Sequence, residues 1–297
     1  MQRVAPCFVL AAILAGCSKR PAPDEPGVKI EAADPTAAYT LAFKDIVKGD
    51  SFDVMKDRDA TATITVKNVN TTTKLKDRYR FEYAETILDT SPDDPRPTKV
   101  SRAYKTAEKA DQNGRMEKRS YVGKTVTIER FMKGYKYVVG TGQSLPAAEQ
   151  IEMNQDFTTA SWKLNQNFPN KPVKVGDTWD VDFAAITAIA SNPVGKYDKD
   201  RSKITGKLAK VYEKDGRRWG VVELKIVMVI DTFATNGSPI KGDVNTETTF
   251  DIVIDGSLRA GTMKMKLSST IDDRDVTGNE RRTTVAGTEE RSISPTK

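Results

Sequence analysis

Histidine is absent from the 297 residues, and cysteine occurs only twice, at Cys7 and Cys17. Without an imidazole the chain cannot build Ser-His-Asp or Cys-His catalysis, and it lacks the commonest side-chain ligand for zinc, copper and haem iron. Other nucleophile motifs are missing too: Ser161-Trp162-Lys163 has the wrong spacing for a Ser-x-x-Lys pair, and no G-x-S-x-G elbow or Walker loop occurs. Aromatics are sparse, at 7% of residues, and no dense basic run is interleaved with them. That pattern argues against a nucleic-acid partner. No cofactor and no metal site is expected, and an enzyme built from this chain would have to use carboxylates, Ser-Lys pairs or tyrosine.

The one sustained apolar stretch lies at the amino terminus. Arg3 is followed by Val4 to Leu14 and then by the small residues Ala15 and Gly16, the three parts of a secretory signal. The stretch is shorter than the ~20 apolar residues of a spanning helix, so a cleaved segment over 1–16 is expected. Leu14-Ala15-Gly16-Cys17 resembles the lipobox of bacterial lipoproteins. The resemblance implies a diacylglyceryl group on the Cys17 sulfur, cleavage of the Gly16–Cys17 bond and acylation of the new amine. An ordinary secretory signal with an incidental cysteine is the other reading. Each buried CH₂ contributes about 0.8 kcal/mol, so three acyl chains would hold the protein on a membrane essentially permanently. Ser18 and Lys19 follow the cysteine, and similarity to the enterobacterial sorting rule favours the periplasmic face of the outer membrane. The mature chain would then carry no free thiol and no disulfide, and would be stabilised by its core alone. The net charge of +6 falls by one when Arg3 leaves and is spread over alternating signs, as on solvated strand faces.

Pro21, Pro23, Pro26 and Pro35 make the segment after Cys17 an extended, structureless tether reaching up to ~60 Å at ~3.1 Å per residue. From Tyr39 the hydrophobic period is two. Ala60, Ala62, Ile64 and Val66 alternate with Thr61, Thr63, Thr65 and Lys67, and Met263, Met265 and Leu267 with Lys264 and Lys266. Threonine, at 32 residues, suits half-buried strands. Turns are expected at Lys133-Gly134, Lys214-Asp215-Gly216, Asn236-Gly237 and Asp255-Gly256. A helix is expected over Ser144 to Phe157, with Pro146 in its first turn, and a short one over Phe183 to Ser191. The division is a signal (1–16), a lipidated tether (17–37), a first β module (38–143), a helical or loop connector (144–172) and a second β module (173–297).

Lys48-Gly49-Asp50-Ser51-Phe52-Asp53-Val54 matches Val175-Gly176-Asp177-Thr178-Trp179-Asp180-Val181. Tyr79 to Thr90 parallels Val221 to Thr232 in the same order but at wider spacing, which would place an insertion over Ala184 to Asp198. Together these suggest duplicated β modules; chance similarity in a threonine- and valine-rich chain is the alternative. Lys171 to Trp179, containing Pro172-Val173-Lys174-Val175-Gly176-Asp177-Thr178-Trp179, and the earlier Tyr121 to Val126 resemble an uncharacterised group of envelope lipoproteins common in planctomycete-like bacteria. The resemblance bears on fold and location and implies no activity. Gly176 and Asp177 suit a tight turn in which the Asp bonds backbone two residues on. Trp179 then opens a strand, either as a core anchor or as a surface on which a ligand stacks. Asp272, Asp273, Asp275, Thr277, Gly278 and Glu280 invite a calcium reading, but the twelfth position of an EF-hand loop would be Thr284. A solvated hairpin turn is favoured.

The expected fold is mainly β: long antiparallel strands in two related modules or one curved, half-barrel-like sheet, with one or two short helices. At fold level this resembles periplasmic lipid-carrier lipoproteins. Three functions are open: non-enzymatic binding or scaffolding at the membrane surface, with a lipid or an envelope protein as possible partner; carriage of a lipid or other apolar ligand; and carboxylate-based hydrolysis of envelope polysaccharide.

Overall fold

The computed structural model describes residues 30–111, 113–132, 134–140, 142–158, 164–182, 197–233, 237–275 and 277–296. The signal segment with Gly16 and Cys17, and the helix expected over Phe183 to Ser191, lie outside the described residues. All described strands join one open antiparallel sheet rather than two separate ones. One edge is β1 (Ile30–Ala32). Beside it run β10 (Lys203–Lys214), β11 (Arg217–Phe233), β12 (Pro239–Val253), β13 (Gly261–Arg274) and β14 (Glu280–Pro295). The sheet then continues into β2 (Ser51–Val66), β3 (Thr71–Ser91), β4 (Asp94–Ala110), β6 (Thr125–Phe131), β7 (Gly134–Val139) and β8 (Gln143–Ser144). Short β5 (Met116–Lys118) pairs with β4, and β9 (Thr178–Asp180) with β10.

Period-two burial forms these strands. In β13, Met263, Met265, Leu267, Ser269 and Ile271 are buried while Lys264, Lys266 and Ser268 are exposed. In β2 the buried set is Phe52, Val54, Lys56, Arg58 and Ala60, and the expected core positions Ala62, Ile64 and Val66 are only half-buried. There β2 pairs with the outer stretch Thr71 to Leu75 of β3, where Thr71 to Lys74 are exposed, so the hairpin projects past the core. The tether expectation also needs correction, because Ile30 to Ala32 pair with Lys214 to Tyr212. An open strand edge on β10 offers backbone partners that a proline-free stretch can take.

The inner face carries two main hydrophobic clusters. The first holds Phe81, Tyr83, Ile87, Val100 and Tyr121 under the helix α1 (Ala147–Thr158), which contributes Met153 and Phe157. The helix starts at Ala147, with the Gln150 amide donating to the Pro146 carbonyl at 3.0 Å, so Pro146 stands just before the first turn. Arg119 donates to both Glu152 oxygens at 3.0 Å, docking the helix on the sheet. The second cluster holds Leu208, Val222, Phe250, Ile252 and Met263, covered by Tyr39, Leu41 and Phe43 and by Leu164 and Phe168. Ile293 of β14 packs against both.

The seam between these halves is the pair β14 and β2, matched at Ser294↔Asp53 and Pro295↔Phe52. Farther along, Gly287 faces Ala60 and Glu289 faces Arg58, the same antiparallel register. A Cβ on Gly287 would lie 2.4 Å from the Ala60 Cβ and 2.6 Å from its Cα, so the strands approach closely only because residue 287 has no side chain. Gly287→Val is expected to lower stability by about 1–3 kcal/mol through overpacking, read as a fall in urea midpoint at constant m-value.

The turn between β13 and β14 consumes the acidic stretch. Asp272 pairs with Arg282 and Asp273 with Arg281, while Asp275 accepts from the Thr277 hydroxyl at 2.7 Å and from the amides of Thr277 and Asn279. The Thr277 hydroxyl first, then these amides, hold the Asp275 carboxyl at about 2. Because the folded value is depressed, this turn's contribution is complete above the unfolded carboxyl value of about 3.9 and is lost as pH falls through about 2. Carboxyl-detected NMR titration should place the Asp275 midpoint near pH 2, and a midpoint near 3.9 would contradict the turn.

Candidate functional site

Charged residues occupy inward positions of the sheet. Lys56 and Arg58 share the buried phase of β2 with Phe52 and Val54, Glu85 that of β3 with Tyr83 and Ile87, and Arg102 that of β4 with Val100 and Tyr104. Glu289 on β14 is fully buried. Burying charge is costly unless it is paired and hydrogen-bonded, and the partners are present. Arg102, 1% exposed, donates from Nε to Glu85 Oε2 at 2.6 Å. Its guanidinium also lies over the Tyr83 and Phe157 rings at 4.6 and 5.4 Å. This cation is therefore held by a carboxylate in its plane and by aromatic faces on β3 and α1. Glu289 accepts from the Tyr79 hydroxyl at 2.7 Å and from Arg291 Nε, and lies 3.8 Å from Arg58. Burial opposes the Arg58 charge, but Asp77, Tyr79 and Glu289 hold its pKa above the ordinary value.

Between these groups the seam leaves a pocket of about 110 Å³. Its described walls include Phe43, Val54, Tyr83, Leu164, Phe250, Ile252, Met263 and Ile293, the cations Lys56, Arg102, Arg259 and Arg291, the carboxylate Glu85, and Gly261, Thr262 and Ser292. Arg259 comes from the connection between β12 and β13. It donates from Nη1 to the Lys44 carbonyl at 3.1 Å and stacks 4.7 Å from the Phe43 ring centroid. Burial lowers its pKa to about 10, with Glu85, Asp45 and Asp50 opposing, so the group stays charged at neutral pH.

The residues singled out from sequence lie elsewhere. Gly176 and Asp177 form the turn before β9, and this turn repeats that of Gly49 and Asp50 bond for bond. Both glycines have φ of 94°. The Asp50 and Asp177 carboxylates each accept, at 2.9 Å, the amide three residues back, on Val47 and Lys174. The bond thus runs backward rather than to the residue two positions on. Gly49 and Gly176 donate to the carbonyls of Ile87 and Leu208, whose amides return to Asp50 and Asp177. Trp179 is half-buried against the second cluster; its indole covers Gly206, its cross-strand partner, and donates to the Asn167 carbonyl at 2.8 Å. None of Gly176, Asp177 and Trp179 is among the described pocket walls.

Sequence reasoning passed over Lys56, Glu85, Arg102, Arg259 and Arg291. The first three carried a visible signal, a charge on the apolar phase of an alternating strand. Arg259 lies outside any strand and had none.

Among the described residues, no group of His, Cys, Asp or Glu is arranged to hold a metal ion. No described helix is long and apolar enough to cross a membrane, which says nothing about strands. No protein-family model and no curated protein sequence matches the chain.

The Glu85–Arg102 pair gives a direct test of this geometry. Glu85→Leu leaves a buried guanidinium without its carboxylate and should cost about 3–5 kcal/mol, while Glu85→Leu with Arg102→Met should recover most of the loss. Denaturant titration of the single and double variants measures both, and equal losses in the two would contradict the coupling.

Proposed function

We propose that this chain is a lipid-anchored, non-enzymatic envelope protein whose sheet binds a small ligand in the seam pocket, on the periplasmic face of the outer membrane. The observation that carries the reading is the pocket, where cationic side chains from β2, β4, β14 and the β12–β13 connection converge on one apolar hollow. The anchor rests on Leu14-Ala15-Gly16-Cys17 and the proline-rich stretch behind it.

The pocket's size and chemistry favour this reading over its rivals. At about 110 Å³ it is well below the ~300 Å³ at which drug-sized ligand sites begin, so an acyl-chain carrier is poorly served. A glycosidase-type hydrolase uses two carboxyl groups about 5 to 9.5 Å apart, and Glu85 is the one acid among the described walls, bonded to Arg102.

Two measurements test the parts separately. In detergent phase separation the wild-type chain is expected in the detergent phase and Cys17→Ser in the aqueous phase; a wild-type chain in the aqueous phase removes the anchor. Native mass spectrometry of the full-length protein released from micelles should show no retained free lipid, and reproducible acyl-lipid adducts would replace the small-ligand reading with the carrier.

A further inference from the structure

We infer that the outer end of β3, over Thr71 to Lys76, docks an extended peptide of alternating acidic and apolar residues, which adds to the sheet as a further antiparallel strand. The site is separate from the seam pocket and does not depend on it.

The edge exists because β3 outruns one of its neighbours. On one side it pairs with β2 from Ser51↔Thr86 to Val66↔Thr71 without a shift in register. On the other, pairing with β4 stops at Tyr79↔Lys109. Gly114 still comes beside the Lys76 side chain, but no described strand runs next to Thr71 to Leu75 on that side. Alternate residues of an antiparallel strand turn their N–H and C=O groups to opposite edges. The Ile87 amide donates to Asp50 and its carbonyl accepts from Gly49, both on the β2 side. The odd-numbered residues of this regular stretch therefore serve β2, and the amides and carbonyls of exposed Thr72 and Lys74 face outward. By contrast, β10 at the far side of the sheet is covered over most of its length: β1 takes Tyr212 to Lys214, the turn at Gly176 and Asp177 takes Leu208, and β9 takes Thr205 to Lys207.

The side chains select the partner. The odd-numbered residues of β3 belong to the inner face, where Phe81 and Tyr83 are buried. At the open end this face offers half-buried Leu75 and, on β2, half-buried Ala62 and Ile64, apolar surface that a valine on an added strand would cover. The even-numbered residues stand on the opposite face. Lys74 and Lys76 are exposed there; Lys76 donates to the Thr61 hydroxyl at 2.9 Å, and neither lysine has an ion-pair partner among the described residues. Residues directly opposite in a sheet share a face, so carboxylates on the incoming strand meet these lysines while its apolar residues meet Leu75. Main-chain bonds supply affinity and the alternating side chains supply specificity, as in other strand additions. A second copy of the chain suits the edge poorly, because pairing through Thr72 and Lys74 would set both pairs of lysines on one face. Lysine on an open edge discourages that kind of self-pairing.

Fluorescence anisotropy of the full-length protein in detergent micelles tests this with two labelled hexapeptides, one alternating glutamate with valine and one alternating lysine with valine. The glutamate peptide is expected to bind about tenfold more tightly or better, since like charges are set side by side in the other. Thr72→Pro removes an outward N–H without touching the β2 ladder, a place where edge strands tolerate proline. It should weaken the glutamate peptide about tenfold while the circular dichroism spectrum stays unchanged. Lys74→Glu should weaken the glutamate peptide and strengthen the lysine peptide. If Thr72→Pro does not fold, the peptide carries the test: N-methylation of its glutamate nitrogens, which face β3, should abolish binding, and N-methylation of its valine nitrogens, which face away, should not. Binding unchanged in folded Thr72→Pro, or lost equally with either methylation, overturns strand addition. Equal binding of the two peptides overturns the acidic partner, and binding of neither overturns the site. Concentration-dependent dimerisation that Thr72→Pro abolishes, read by sedimentation, overturns the peptide in favour of a second copy.

Discussion

The last strand of the chain lies against the first long one, and this contact makes a single sheet out of two stacks of hairpins. Without β14 beside β2, both strands would present open edges, a liability that proteins manage by pairing or covering them. The contact is long-range in sequence, so its loop-closure entropy must be met by interactions available only after both stacks exist. Gly287 against Ala60 allows the approach. Glu289, meeting Arg58 across the seam and Tyr79 one strand farther, sets the register.

The same constraint explains why the inner face is charged where it would ordinarily be apolar. An apolar seam would tolerate slippage among similar contacts, whereas a buried carboxylate that must meet particular donors penalises every register but one. The ion pairs place cations around the pocket, and the structural role of the seam and the proposed binding role share residues. Arg102 shows this most plainly, since it joins Glu85, Tyr83 and Phe157 and also forms part of the pocket wall.

The repeated turn shows how local and global information separate. Gly49-Asp50 and Gly176-Asp177 adopt the same geometry because glycine accepts the positive φ and aspartate accepts the amide behind it. Their partner strands are β3 and β10, with Ile87 and Leu208 in equivalent places. The second sequence match, Tyr79 to Thr90 with Val221 to Thr232, instead aligns β3 with β11 and does not share this equivalence. A turn is encoded by a few adjacent residues, whereas alternating valine- and threonine-rich strands resemble one another wherever they lie.

The mainly antiparallel class, the helix ending at Thr158 and the positions of the turns at Gly176 and after Asp275 follow from sequence alone, because periodicity, proline placement and turn-residue chemistry act within a few residues, whereas the backward direction of the Asp177 bond did not. The inward charges of β2, β3 and β4 were legible in principle as breaks in an alternating phase. The union of both halves in one sheet, the meeting of Arg259 and Arg291 at one pocket and the half-exposed end of β2 were decided only by tertiary structure. Each depends on which distant strand becomes the neighbour, and burial of a side chain is a property of that neighbour as much as of the residue itself.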